Sequence, residues 1–363
     1  MNLQQMASLG WKHTVSAAGE ELYLKTGIDL TRPVAFYGLV NERCNVKCRY
    51  CEYWRLKEYS EEMTLADWQR ALLSIKEFVG TFSISFSGGE PFLKAGFIDL
   101  MVWCHDNGIS SGVTTNGSAL TPRNAAKLVS AHPFNVNISV DAPTAEVHDY
   151  LRGSAGLFQR LGDGIGFLAK ERDRQRVSFP IIIKPTVNAA NFRYLPELVE
   201  WTERVGATCI SLQPVDRWTP ETYGDLWIEE NDLPELETVI ERLVSMAAAG
   251  APILTPPHVM RLMPDHFRGK AAPADLLPCR VGMRNFFIRS TGSVELCSQG
   301  FPAVGNVKTD SARDIWYGAT AKEVRRDTLQ CERLCLVTCV SQKGLRDKVA
   351  MGLRLLAPRK MQR

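Results

Sequence analysis

Cys44, Cys48 and Cys51 stand in a Cys-x3-Cys-x2-Cys spacing directly after an apolar, strand-like stretch at 34–40. Three thiolates crowded into so short a loop can saturate three irons of a cubane iron–sulfur cluster, and with no fourth cysteine nearby one iron stays open for a small ligand. A chain built around such a loop needs a scaffold that holds it rigidly. The competing reading is a zinc knuckle, which requires a fourth Cys or His, and 41–60 offers none.

Composition narrows the setting. A length of 363 residues with 45% hydrophobic content is enough for one large domain and a smaller one. The balance of 43 basic against 40 acidic residues gives no field that argues for nucleic acid or a membrane surface as the principal partner. No signal-peptide pattern opens the chain and no apolar run reaches about 18 residues, so no transmembrane segment and a cytoplasmic location are expected. Of the ten cysteines, eight fall in the triplet or in a C-terminal group, a distribution that suits metal ligation better than disulfides. Cys104 and Cys209 sit in apolar segments and read as small buried side chains. The tail 342–363 is basic with interleaved apolar residues, reading as a solvated terminal helix or, alternatively, a docking element.

Strand-like runs at 34–40, 82–87, 111–115, 135–140, 180–187 and 208–215 alternate with helical patterns near 65–79, 92–107, 121–131, 158–171, 195–205 and 233–248. Thr64 and Asp67 form a capping-box start for the first helix. Six parallel strand–helix units suit either a doubly wound sheet or a curved partial barrel, and pattern alone does not choose. Unusual polar residues gather at strand ends: the triplet, then Gly88, Gly89, Glu90 and Pro91, then Asn116, then Ser139 and Asp141, with Lys184 and Gln213 on the fifth and sixth strands. Barrel-type folds place their active sites there. Six prolines mark 251–278 as an irregular connector to a second, cysteine-rich module.

In their order along the chain, these motifs resemble the signature of the radical SAM superfamily. The resemblance implies a partial (β/α)6 TIM-like barrel whose triplet carries a 4Fe-4S cluster, with S-adenosyl-L-methionine on the open iron. It further implies that the neighbourhood of Tyr50 contacts the adenine, and that Gly88 to Pro91 hold the methionine amino group on exposed backbone and the Glu90 carboxylate. Ser139 and Arg152 would bind the methionine carboxylate, a task suited to a guanidinium because it grips two oxygens at once. Asp141 would accept from ribose hydroxyls or cap a helix. Asn116 and Lys184 are cofactor contacts or, equally, a turn residue and a surface charge.

Cys279, Cys297, Cys331, Cys335 and Cys339 crowd the second module. With a hairpin expected around 290–293, they resemble the twitch and SPASM extensions that carry auxiliary clusters. Five cysteines fit one auxiliary 4Fe-4S cluster, held by Cys279, Cys297 and two of the last three. A structural zinc site is the alternative. The expected division is an N-terminal extension 1–32, a core 33–250, a connector 251–278, an auxiliary domain 279–341 and a tail 342–363.

The implied activity is reductive cleavage of S-adenosylmethionine, with a flavodoxin or ferredoxin type reductant supplying the electron. The 5'-deoxyadenosyl radical then removes a hydrogen atom from a peptide or a sugar-like small molecule, for oxidation, crosslinking or epimerisation. The short stretch before Val34 is smaller than the winged peptide-recognition domain of many peptide-modifying relatives, which favours a small molecule or a peptide bound without that domain. A reading from another class is an iron–sulfur electron carrier or sensor on the same scaffold. The motifs resembling S-adenosylmethionine contacts oppose it.

Overall fold

All six expected strands form. The computed structural model describes residues 3–56, 58, 59, 61–217 and 223–338; the expectations for Cys339 and for the tail 342–363 lie outside them. Strands β1 (Ala35–Leu39), β2 (Ser83–Ser87), β3 (Ser110–Thr115), β4 (Val136–Ile138) and β5 (Ile181–Ile183) pair in parallel in that order. The fifth run breaks after β5 and resumes as β6 (Thr186–Val187), because Pro185 has no N–H to continue the ladder. The sixth run breaks likewise into β7 (Cys209–Ile210), which pairs with β5, and β8 (Gln213–Pro214), which pairs with β6. At its break the Leu212 N–H donates to Thr255 Oγ1 (2.7 Å).

Helices α1 (Leu3–Thr26), α2 (Leu65–Val79), α3 (Phe97–Asp106), α4 (Pro122–Ser130), α5 (Ala145–Arg152), α6 (Leu157–Arg174), α7 (Leu195–Arg204) and α8 (Leu233–Ala248) follow or link these strands. The α2 capping box is formed as expected, with Thr64 and Asp67 each bonding the other's backbone N–H. Trp68, Leu72 and Ile75 on that helix are fully buried, each side chain worth roughly 1.5–3 kcal/mol of apolar burial. Helix α3 begins later than its pattern suggests, since Pro91–Leu93 forms a 3-10 turn and Gly96 is left-handed. Helices α1 and α5 were not expected. The connector contains two short helices, α9 (Pro257–Arg261) and α10 (Met263–Phe267). Among the described residues, no helix is long and apolar enough to cross a membrane.

The second module is stitched into the same sheet. Its hairpin, β9 (Asn285–Ile288) and β10 (Ser293–Glu295), forms as expected, and β11 (Gly305–Asn306) adds a third strand. Strand β9 also pairs in parallel with β1, from Ala35 opposite Asn285 to Gly38 opposite Ile288. The result is one open nine-stranded sheet in the order β11-β10-β9-β1-β2-β3-β4-β5-β7. Short helices α11 (Ala312–Tyr317) and α12 (Ala319–Leu329) fasten the segment before β1: Trp316 Nε1 donates to the Thr31 carbonyl (3.0 Å), and the wholly buried Arg325 pairs with Asp29 (2.6 Å).

Helix α1 anchors at the start of β9. Glu20, only 2% exposed, takes two bonds from Arg284 (2.7 and 2.6 Å) and one from Arg280 (3.5 Å). Breaking a buried ion pair strands the remaining charge, a cost reduced here because Arg284 keeps partial contact with water. Glu20→Ala is expected to lose about 1–2 kcal/mol of stability in urea denaturation, and the Glu20→Ala/Arg284→Ala pair less than the sum of the single losses. An unchanged midpoint in Glu20→Ala would show that this pair does not hold α1.

Candidate active site

The cysteine loop leaves β1 at Val40 and is pinned from two sides by backbone. On one side the Gly89 N–H donates to the Asn41 carbonyl (3.0 Å), the Glu90 N–H to the Arg43 carbonyl (2.7 Å), and Asn41 Nδ2 to the Glu90 carbonyl (2.8 Å). A Cβ at Gly88 would lie 2.3 Å from Asn41 Oδ1, and one at Gly89 only 2.1 Å from the Arg43 carbonyl oxygen. Glycine is therefore required because the cysteine loop itself passes there, a reason independent of any ligand. On the other side the Lys47 and Arg49 N–H groups donate to the carbonyls of Arg152 (3.1 Å) and Leu151 (2.9 Å) at the end of α5. Gly153 caps that helix with φ +57°, and a Cβ there would meet the Lys47 carbonyl at 2.4 Å.

Glu90 is buried completely, in contrast to the exposed motif implied by the family resemblance. Its carboxylate accepts from Thr115 Oγ1 (2.7 Å), the Asn116 N–H (2.7 Å) and the Phe92 N–H (3.2 Å), tying the loop after β2 to the end of β3. Burial pushes its pKa up to about 7 against the pull of these bonds. Pro91 is buried at the start of the adjoining 3-10 turn. Asn116 reaches the loop directly, its Nδ2 donating to Asn45 Oδ1 (2.9 Å) and lying 3.8 Å from Cys44 Sγ.

Behind Cys48 lies a buried ionic knot. Arg152 meets Asp141 through Nε to Oδ2 (2.7 Å) and Nη2 to Oδ1 (3.0 Å), and its Nη1 is 3.7 Å from Cys48 Sγ. The Tyr50 hydroxyl donates to Asp141 Oδ2 (2.6 Å) while its ring faces the Arg152 guanidinium at 5.3 Å. The Thr186 N–H donates to Asp141 Oδ1 (2.9 Å), Asn191 Nδ2 to the Asp141 carbonyl (3.0 Å), and the Asp141 N–H to His148 Nδ1 (3.1 Å). Burial works against the guanidinium's charge, but Asp141, Tyr50 and Cys48 together outweigh it and keep Arg152 protonated. Asp141, Arg152 and Tyr50 thus hold one another, and Arg152 spends its charge on Asp141 in this conformation. Ser139 stands apart from the knot; its N–H donates to the Thr115 carbonyl (3.0 Å), and the residue faces the barrel interior.

The donor set of the triplet suits a cluster. Burial raises the pKa of all three thiols, and Cys51 is pushed up to about 12 by burial and then by the charge of Cys48. Cys44 also feels Cys48, so three thiolates here repel one another, with Arg152 the compensating charge among the described residues. A cluster's ferric and ferrous charge removes that penalty.

In the second module Cys297, Val281 and Val337 form a small buried cluster on which Cys279, Cys335 and Phe301 pack. The Cys335 thiol is pushed up to about 12, mainly by burial, with the charges of Cys297 and Cys331 adding to it. Four of the five candidate ligands are therefore neighbours, and the segment that bears two of them lies across the barrel mouth. Lys184 Nζ donates to Thr338 Oγ1 (2.7 Å), the Thr338 N–H and hydroxyl donate to Gln213 Oε1 (3.1 and 3.0 Å), and Arg333 pairs with Asp216 (2.5 Å).

The barrel holds a cavity of about 370 Å³, lined among others by Ser85, Ser87, Asn137, Ser139, Lys184 and Thr338. The sequence carries a signal for it outside the cysteine and glycine motifs. Ser83, Ser85 and Ser87 alternate with Ile84 and Phe86, and Asn135, Asn137 and Ser139 with Val136 and Ile138, leaving a polar face where a filled barrel is apolar. Asn41 and Asn191, which also brace the site, carry no motif of their own.

Fold and site together define a partial α/β barrel with one cysteine loop at its strand ends and a second cysteine group over its mouth. Residues 39–197 match the Radical SAM superfamily model, and residues 279–340 match that of the SPASM iron–sulfur cluster-binding domain. The chain carries a radical SAM domain followed by a SPASM domain. It is 26% identical to an AdoMet-dependent heme synthase of Nitratidesulfovibrio vulgaris, over 76% of this chain and 77% of that one. It is 22% identical to a PqqA peptide cyclase of Methylocella silvestris, over 85% and 80% of the two chains. The fold is shared with Streptococcus suis SuiB bound to S-adenosylmethionine, at TM-score 0.66 and 17% identity over 92% of this chain and 77% of that one.

Two outcomes follow from the bracing of the loop. Gly89→Ala should strip iron from the triplet site, lowering iron and sulfide per chain by about four atoms each in reconstituted protein; an unchanged content would mean the close approach is not needed. Glu90 has a folded pKa raised from 4.5 to about 7, so the native state holds a proton that the unfolded state releases. Its contribution is complete below pH 4.5 and is lost as the pH rises through 7. Thermal melts of apoprotein between pH 5 and 8 should therefore fall less steeply for Glu90→Gln than for wild type, and equal slopes would contradict the shift.

Proposed function

We propose that the chain reductively cleaves S-adenosylmethionine at a 4Fe-4S cluster on Cys44, Cys48 and Cys51 and abstracts a hydrogen atom from a substrate in the barrel cavity. The single observation that supports this reading is the cavity's lining, in which Ser87 directly precedes the Gly88–Pro91 brace, Ser139 stands two residues before Asp141, and Val337 and Thr338 follow Cys335. When bound, the first cluster supplies the electron that splits S-adenosylmethionine into methionine and a 5'-deoxyadenosyl radical.

The chain's own residues act on either side of that event. Glu90, Asn116 and the Asp141–Arg152–Tyr50 knot fix the loop on which Cys44, Cys48 and Cys51 would hold the cluster. The second module, closed over the mouth by Lys184, Gln213 and Thr338, keeps water from the substrate. An auxiliary cluster on Cys279, Cys297 and two of Cys331, Cys335 and Cys339 would take up the electron left behind, making the net change an oxidation. The proposed division of labour assigns 33–250 to S-adenosylmethionine and 279–341 to the auxiliary cluster. A flavodoxin or ferredoxin type protein is the proposed electron donor. The substrate is proposed as a small molecule or a peptide segment able to enter the barrel; PqqA peptide cyclases among the relatives support the peptide form.

Anaerobically reconstituted protein given dithionite and S-adenosylmethionine should release 5'-deoxyadenosine and methionine, and Cys48→Ala should release none. Absence of 5'-deoxyadenosine from wild type with a fully loaded first cluster would overturn the proposal.

A further inference from the structure

We infer that Lys184 is the anchor for a substrate carboxylate, so that the enzyme acts on a carboxylate-bearing compound. This rests on the radical reading above and names the substrate class for the same cavity.

The inference starts from the cavity wall. Among the described residues that line it there is one cation, Lys184, and no aspartate, glutamate, arginine or histidine. The remaining polar lining consists of hydroxyls and amides, chiefly from Ser85, Ser87, Thr114, Asn137 and Ser139. Thr114 Oγ1 already accepts from Asn137 Nδ2 (3.1 Å), which leaves the Thr114 hydroxyl hydrogen to point elsewhere. Such a wall offers one positive charge and several neutral donors. It is complementary to a single negative charge spread over two oxygens, because a charge-assisted bond to the ammonium can be joined by hydroxyl donors to the second oxygen. A phosphate dianion is served worse, since sites for it bring an arginine fork, several cations or a helix N-terminus, none of which lines this cavity.

The ammonium is also placed in advance. The Lys184 N–H donates to the Ile138 carbonyl (2.8 Å), and Ile183 pairs with Ile138, so Lys184 and Ser139 occupy the next level of the barrel side by side. Its Nζ is steered by Thr338 Oγ1, which Gln213 orients in turn. Holding a flexible lysine in one position lowers the entropy lost on binding. That position is on the side of β5 and β8, next to the segment bearing Cys335. The volume of about 370 Å³, roughly a dozen waters' worth of liquid, admits a ring or an amino-acid-sized group behind the carboxylate.

The test uses reconstituted holoprotein saturated with S-adenosylmethionine and titrates it calorimetrically with benzoate, benzamide and phenyl phosphate, three probes of one skeleton. Benzoate is expected to bind about 10-fold or more tightly than the other two, to weaken by a similar factor in Lys184→Gln, and to recover in part in Lys184→Arg. Equal binding of benzamide, tighter binding of phenyl phosphate, unaltered binding in Lys184→Gln, or no binding of benzoate to wild type would overturn the inference. A benzoate site present in a parallel titration without S-adenosylmethionine but missing from the saturated protein would overturn it too, assigning Lys184 to the cofactor. Formation of 5'-deoxyadenosine by the same wild-type preparation separates failure of this inference from failure of the radical reading.

Discussion

Asp141 and Arg152 form an ion pair from which water is almost excluded, and the cysteine loop depends on it. Removing two charges from water costs several kcal/mol apiece, and the cost is recovered only where further hydrogen bonds use the remaining lone pairs and protons. Asp141 meets that condition, taking the Tyr50 hydroxyl and the Thr186 N–H as well, whereas Arg152 Nε, though 2.7 Å from Asp141 Oδ2, has no well-aligned acceptor. The pair therefore joins the end of β4, the last turn of α5, the start of β6 and the third thiol-bearing turn of the loop. Loss of either partner would leave an uncompensated charge behind Cys48. Glu90 provides the matching brace on the opposite side, again as a buried acid whose acceptors are filled by protein.

The second structural dependence is the pairing of β9 with β1. It makes the cysteine-rich module an extension of the barrel sheet, with Cys279 and Cys297 on either side of a hairpin whose first strand is also a barrel neighbour. Contacts between Arg289 and both Tyr53 (3.5 Å) and Glu295 (2.8 Å) tie that hairpin to the turn just after Cys51. The two cysteine groups are therefore set by one rigid sheet, an arrangement suited to moving an electron away from a substrate held between them.

The alternating elements, the capping box of α2, the strand-end motifs and the hairpin were legible because each is a local pattern: periodicity, a turn residue or a close spacing. Long-range pairings were not. Nothing in the sequence near Arg152 says that Asp141 pairs with its guanidinium. Gly88 and Gly89 were recognised as sites of close approach, but what approaches is the backbone of Asn41 and Arg43. Strand β9 looked like half of a separate hairpin because its pairing with β1 spans most of the chain. Helix α5 is short and ends in the very residues that the motif reading had assigned to binding. The polar barrel face was present as a period-two pattern in β2 and around β4, and went unread because hydroxyl and amide residues signal neither a metal nor a nucleophile.

The central claim is that this buried bracing holds three thiols around a cluster whose fourth iron takes the methionine end of S-adenosylmethionine. Electron–nuclear double resonance of the reduced, reconstituted protein with S-adenosylmethionine labelled with nitrogen-15 at its amino group addresses that claim directly. The account predicts a nitrogen-15 coupling on the cluster signal that disappears in Cys48→Ala. A loaded and reduced first cluster without any such coupling would contradict it.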